Sequence, residues 1–206
     1  MKFWLFVAVL FLAGSLTEAQ QPDVPGDVPA VPIEQELRHR LVFTNDFVRV
    51  LDVLLPPLYV SQNHTHTYDN VAVTILPGMD GPQGQARIGF AGYSRGGYTH
   101  VITNPNTQIM RFVAVELRAP DHGSEIEDVP QLNHVTVLNN ARVHISRVKL
   151  DAGQTLPDHQ HAAGYVSVVV RGGEGPGTWK WHASGDPPAT LEAGRQALEL
   201  VEIEPK

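Results

Sequence analysis

Sliding the chain against itself by 95 residues lays one half on the other without a gap, and this internal repeat restricts the fold more than any other property of the sequence. Asn45 falls on Asn140, Val48 on Val143, Val50 on Ile145 and Val53 on Val148. At the same offset Leu55 meets Leu150, His64 meets His159, His66 meets His161, Val71 meets Val166, Val73 meets Val168 and Gly78 meets Gly173. The ends of the halves correspond at an offset of 88, where the run from Asn106 to Glu116 pairs with Gly194 to Glu204. The second half is therefore shorter by seven residues, missing between its histidine pair and its last strand.

Each copy reads as β-structure. From Leu41 onward, short runs rich in Val, Ile and aromatic residues are punctuated by PP, PG, GPQG, GG, NPN, GGEGPG and GDPP, which are turn signals. A short helix fits only Ile33 to Arg40, whose EQELRHR has good helix formers but few apolar positions to dock. The polar, proline-bearing stretch from Arg118 to Gln131 marks the boundary between the halves.

The first residues belong to neither copy. Lys2, the apolar run FWLFVAVLFLAG and the small-residue stretch ending Thr17-Glu18-Ala19 are expected to form a secretory signal peptide over 1–19, cleaved after Ala19. The apolar run is short for a bilayer span, so no membrane association is expected after cleavage, and the product is expected to be secreted or periplasmic. Residues 20–34 carry several prolines without periodicity and read as an extended tether. The sequence has no cysteine, so disulfides and thiolate chemistry are excluded, and stability must come from a hydrophobic core helped by metal or association. A net charge of −7 with no Lys/Arg cluster argues against nucleic acid as a partner.

Chemistry concentrates in NHTHTYDN, residues 63 to 70. Side chains two apart on a strand share a face, so His64 and His66 point one way together with Tyr68 and Asn70, while Thr65, Thr67 and Asp69 point the other. Two imidazoles are half of a metal site, and a third is expected from His100, which follows the glycine turn SRGG and precedes Asn104. No acidic residue reads as both near this triplet and aimed at it. Asn63-His64-Thr65 also fits a glycosylation sequon, discounted because it lies on a ligand strand. Arg87 and Arg95 are weaker candidates for a substrate anion, Tyr68 and Tyr98 for stacking or proton transfer, and Asn104 for orientation. Trp179 and Trp181 share a face and are expected to pack. His39, His122, His134 and His144 receive no role.

These residues resemble the two short motifs of the cupin superfamily. The first, G-x5-H-x-H-x3-E-x6-G, is matched by Gly153, His159, His161 and Gly172, with Tyr165 at the glutamate position. In the first half the same frame gives His64, His66 and Asn70, with Leu58 at the first glycine and Gly78 one residue late. The second motif, G-x5-P-x-G-x2-H-x3-N, is matched by Gly89, Gly97, His100 and Asn104, with Arg95 replacing the proline. In the second half Pro188 falls opposite His100 and Glu192 opposite Asn104, although His182 or Glu192 could swing in.

The resemblance implies an all-β bicupin of two tandem jelly-roll barrels: residues 35–118 with the metal site, a linker over 119–131, and residues 132–206 with a degenerate, metal-free site. It implies metal ligands at His64, His66 and His100, with Asn70 in the usual glutamate's place. A neutral amide there favours copper, iron or zinc over manganese. The expected function is a metal-dependent enzyme, such as an oxygen-using oxidoreductase or dioxygenase, acting on a small-molecule substrate. The alternative is a non-catalytic ligand- or sugar-binding module, and a third reading adds a homodimer through barrel edge strands.

Overall fold

The computed structural model describes residues 29–75, 86–118, 132–157, 161, 163–187 and 190–206. The signal segment, most of the tether, the linker, Gly78, His122, His159 and Pro188 lie outside the described residues. In the first half the strands are β1 (Val31–Pro32), β2 (His39–Thr44), β3 (Val48–Leu55), β4 (His64–His66), β5 (Asp69–Ile75), β6 (Arg87–Ala91), β7 (Tyr98–His100) and β8 (Met110–Leu117). In the second they are β9 (His134–Asn139), β10 (Val143–Leu150), β11 (Thr155–Leu156), β12 (Tyr165–Arg171), β13 (Trp179–His182), β14 (Leu191–Glu192) and β15 (Leu198–Pro205). The chain is all-β, with two like halves in tandem. The expected helix near Ile33 is one 3-10 turn, Ile33–Gln35, and the chain is already extended at His39. Ile33 is its buried residue, and the Glu36 carboxylate accepts from the Arg38 and His39 N–H groups, drawing the backbone out of a helix.

Each half has a five-stranded sheet: β2-β3-β8-β5-β6 in the first and β9-β10-β15-β12-β13 in the second. Smaller sheets, β1-β4-β7 and β11-β14, complete them, and no sheet closes among the described residues. The two large sheets repeat each other in register. Val50 and Val71 both stand opposite Val115, as Ile145 and Val166 both stand opposite Ile203. Each first hairpin is bulged at an equivalent residue: pairing skips Val42 between Leu41 and Phe43, and Val137 between Thr136 and Leu138. Each turn is held alike. The Asn45 side-chain oxygen accepts from the Phe47 and Val48 N–H groups, and that of Asn140 from Arg142 and Val143, which explains the Asn pair in the repeat.

Period-2 alternation gives each large sheet two faces. One face of each carries Val48, Val50, Val71, Val113 and Val115, or Val143, Ile145, Val166, Val201 and Ile203, and these form one shared core. Trp179 and Trp181 pack here against Phe43, and Trp181 also stacks on Phe47, so the tryptophans are packing residues. Arg142 to Asp69, Arg147 to the Ala86 carbonyl and Arg111 to the Pro176 carbonyl cross between the halves. The opposite face of each sheet looks into its own half. In the first half that interior is apolar at one end, with Ile33, Leu51, Val53, Leu55 and Phe112, and polar at the other.

Candidate metal centre

The polar end is built by β4 and β7. His64 and His66 are both buried while Thr65, between them, faces outward and hydrogen-bonds Thr99 at 2.7 Å, as strand alternation requires. β7 pairs antiparallel with β4 and sets His100 directly opposite His64. The ring centroids of His100 lie 4.6 Å from His64 and 5.2 Å from His66. The turn before β7 depends on Gly97, at φ +72, where a Cβ would sit 3.2 Å from the His66 carbonyl oxygen. Glycine takes that backbone without strain, and any Cβ there would press on the carbonyl.

A fourth imidazole joins them. His39, at the start of β2, is buried with its ring centroid 4.5 Å from that of His64, and one ring nitrogen from each of His39, His64 and His66 lies within 4.8 Å of the others. The sequence reading gave His39 no role, and the structure corrects that. It stands far from any short motif, but the 95-residue offset carries it onto His134, a signal in the repeat itself.

The hydrogen bonds fix which nitrogens are free for an ion. His64 Nδ1 lies 2.8 Å from the Gln62 carbonyl, which can only accept, so the proton is on Nδ1 and Nε2 keeps its lone pair. His39 Nδ1 lies 2.6 Å from the Glu36 carboxylate and His66 Nδ1 lies 3.1 Å from Glu116. The Nε2 atoms of His64 and His100 are buried without a hydrogen-bond partner. Burial disfavours the charged form of His39, His64 and His100. It pulls His39 down to about 4 against the Glu36 carboxylate, and His100 to about 3 with His64, His66 and His39 adding repulsion. His64 is lowered as well, by burial first. Neutral imidazoles with orphaned lone pairs and anchored Nδ1 protons are the form in which histidine binds metal.

Two carboxylates stand beside the cluster, contrary to the expectation that none would. Glu36 accepts from His39 and from the Arg38, His39 and Gln62 N–H groups, tying β2 to the approach of β4. Glu116, fully buried on β8, also lies 3.4 Å from Arg49, which reaches Glu34 at 2.6 Å and lies over the Tyr68 ring. Both are one bond removed from the ion position. Asn70 lies across from Glu116 in the ladder, with its side-chain oxygen buried and without a hydrogen-bond partner. Asp69 does face away: its carboxylate accepts from the Ser94 N–H and from Arg142.

Tyr93 and Tyr98 form an aromatic wall, stacked at 4.9 Å, with Tyr93 5.4 Å from His66 and Tyr98 4.9 Å from His100. Asn104 serves the backbone: its side-chain nitrogen donates to the carbonyls of Leu55, Pro56 and Gln108, and it is fully buried. Arg87 and Arg95 are exposed. In the second half His182 is bonded to Ser167 and Glu192 is exposed on β14, so neither takes the place of His100.

No family model matches the sequence, and no curated protein matches it. Solved structures do. A point mutant of the salicylate 1,2-dioxygenase from Pseudoaminobacter salicylatoxidans is 12% identical with a TM-score of 0.52, over 78% of this chain and 71% of that one. A second point mutant of the same dioxygenase, in complex with gentisate, is 12% identical with a TM-score of 0.50, over 78% and 69%. A cupin domain from Bordetella pertussis Tohama I is 20% identical with a TM-score of 0.33, over 35% and 91%. The repeat, the strand order and the likeness to the dioxygenase structures give the chain an all-β fold of two tandem cupin-like halves.

Proposed function

We propose that this chain is an exported metal-dependent enzyme acting on a small molecule, its first half holding one divalent transition ion on His64, His66, His100 and His39. The observation that carries the reading is the convergence of one ring nitrogen from each of His39, His64 and His66 within 4.8 Å, with His100 set against them from β7, while Glu36, the Gln62 carbonyl and Glu116 occupy their Nδ1 atoms. An all-nitrogen donor set favours copper, iron or zinc. When bound, such an ion supplies Lewis acidity, and copper or iron supplies electron transfer to oxygen as well.

The remaining work falls to the chain's own residues. Glu36 and Glu116 orient His39 and His66 by holding their Nδ1 atoms. Tyr93 and Tyr98 offer flat faces beside His66 and His100 and exclude water, which suits a planar organic substrate. A dioxygenase crystallised with gentisate among the structural neighbours supports the small-molecule reading. The apolar leader supports export.

Metal analysis of the purified, loaded protein tests the proposal. His64→Ala should cost about one equivalent of ion per chain relative to wild type. Equal metal content in the two proteins would sink the reading. Oxygen uptake with aromatic acids, compared between wild type and His100→Ala, then separates an enzyme from a binding module.

A further inference from the structure

A cavity of the first half lies beside the imidazole cluster, and strand register explains why the space is open. On β5, Val71 and Val73 face the shared core, so Asn70, Ala72 and Thr74 face the interior of the first half. Ala72 stands opposite Gly89 on β6 and Ala114 on β8, three small residues side by side. A Cβ at Gly89 would meet nothing within 4 Å. The next row, away from Asn70 and Glu116, is Arg87, Thr74 and Phe112. A row of small side chains beside a row of large ones leaves a trough over the sheet.

Residues 102–106 roof the trough and are held in place. The Ile102 N–H donates to Ser61 Oγ, the Asn104 N–H to the Tyr59 carbonyl, and the Asn104 side chain to the carbonyls of Leu55, Pro56 and Gln108. The cavity beneath measures about 420 Å³. One water takes up about 30 Å³, whereas small-molecule sites run from about 300 to 1,000 Å³, so this is more than a packing void. Its apolar wall is Ala72, Ile102, Met110 and Phe112, and no Asp or Glu lines it among the described residues. Two of its polar side chains lack partners. Thr103 Oγ1 is buried without a hydrogen bond, and Arg87, exposed at the rim, enters no hydrogen bond or ion pair among the described residues.

We propose that this cavity binds a monocarboxylate with an apolar body of one ring or a short chain. The hydrocarbon lies over Ala72, Ile102, Met110 and Phe112, and the carboxylate pairs with Arg87 at the rim. A guanidinium is always charged and presents two parallel N–H groups to a carboxylate, and a single arginine balances a single negative charge. The Thr103 hydroxyl is left for a polar atom on the ligand. The Phe112 ring also meets the His39 ring edge-on at 6.0 Å between centroids, so the cavity and the imidazole cluster share a wall. The roof is pre-formed, which spares the ligand the cost of ordering it. Register, volume and charge define the site, and none of them requires an ion on the histidines.

Calorimetric titration of the full chain with benzoate and with hexanoate, against the uncharged benzamide and hexanamide, tests this. At least one acid should saturate a single site and bind more tightly than its amide. Arg87→Gln should weaken the acid about 10–100-fold and leave the amide unchanged. This arginine is exposed and unpaired, so the variant should melt with wild type. Ala72→Leu, which fills the trough, should abolish binding of acid and amide alike, with its melting curve as the check on folding. Saturable binding of neither acid, equal affinity for acid and amide, or an unchanged affinity in Arg87→Gln overturns the site. His64→Ala separates it from the metal reading. Acid binding should persist there, and its loss in a folded His64→Ala protein would assign the acid to the ion and overturn the cavity.

Discussion

His39 and Asn70 compete for one task, the fourth donor to an ion on His64, His66 and His100. His39 offers an imidazole beside His64 with its proton held by Glu36, while Asn70 offers a neutral amide oxygen, a poor donor to copper or zinc. His39→Ala should therefore weaken metal binding more than Asn70→Ala in chelator competition. Glu36→Gln should weaken it about 10–100-fold with the fold retained, because the orienting carboxylate is lost while the ring remains. The contrast shows what a sequence exposes at this scale. His64 and His66 were legible because strand alternation turns a spacing of two into a shared face, and His100 because a glycine turn brings it to a strand start. Nothing local announced His39, Glu36 or Glu116, which converge from β2, its preceding turn and β8 only once the sheets form.

At the scale of elements, β7 can deliver His100 only because the turn ending at Gly97 passes close under β4. Gly97→Ala should destabilise the protein by about 1–2 kcal/mol in urea unfolding, the cost of a left-handed residue with a Cβ. It should also lower ion affinity, since the strand carrying His100 must shift. Strands and their pairing were largely readable from alternating Val and Ile and from the offset of 95. The start of β2 was not, because EQELRHR has helix-forming composition and its extended course is set by Glu36 contacts and by pairing of His39 with Val53. Tertiary pairing overrode local propensity there.

At the scale of the molecule, the two large sheets share one core, so the halves should unfold together. Ile203→Ala, at the centre of that core, should cost about 2–5 kcal/mol and lower a single transition seen alike by circular dichroism and by metal release. Two separate transitions would argue against a shared core. The Asp69–Arg142 pair between the halves adds a pH signature. Burial alone would raise the Asp69 carboxyl, but the Ser94 N–H and the Arg142 guanidinium outweigh it and hold it below its ordinary 3.8. Its contribution is thus present above the unfolded value and lost as pH falls through the lower folded one. The melting temperature of wild type should drop more steeply below about pH 4 than that of Asp69→Asn.

The aromatic packing between the halves also gives the molecule an optical gauge. Of three tryptophans, Trp4 lies in the N-terminal apolar segment proposed as a leader, and Trp179 and Trp181 both sit against Phe43 where the sheets meet. In a Trp4→Phe variant, all tryptophan emission would come from this seam. A red shift would report parting of the barrels, and a ligand that alters either interior while leaving the emission unmoved would act within one barrel alone.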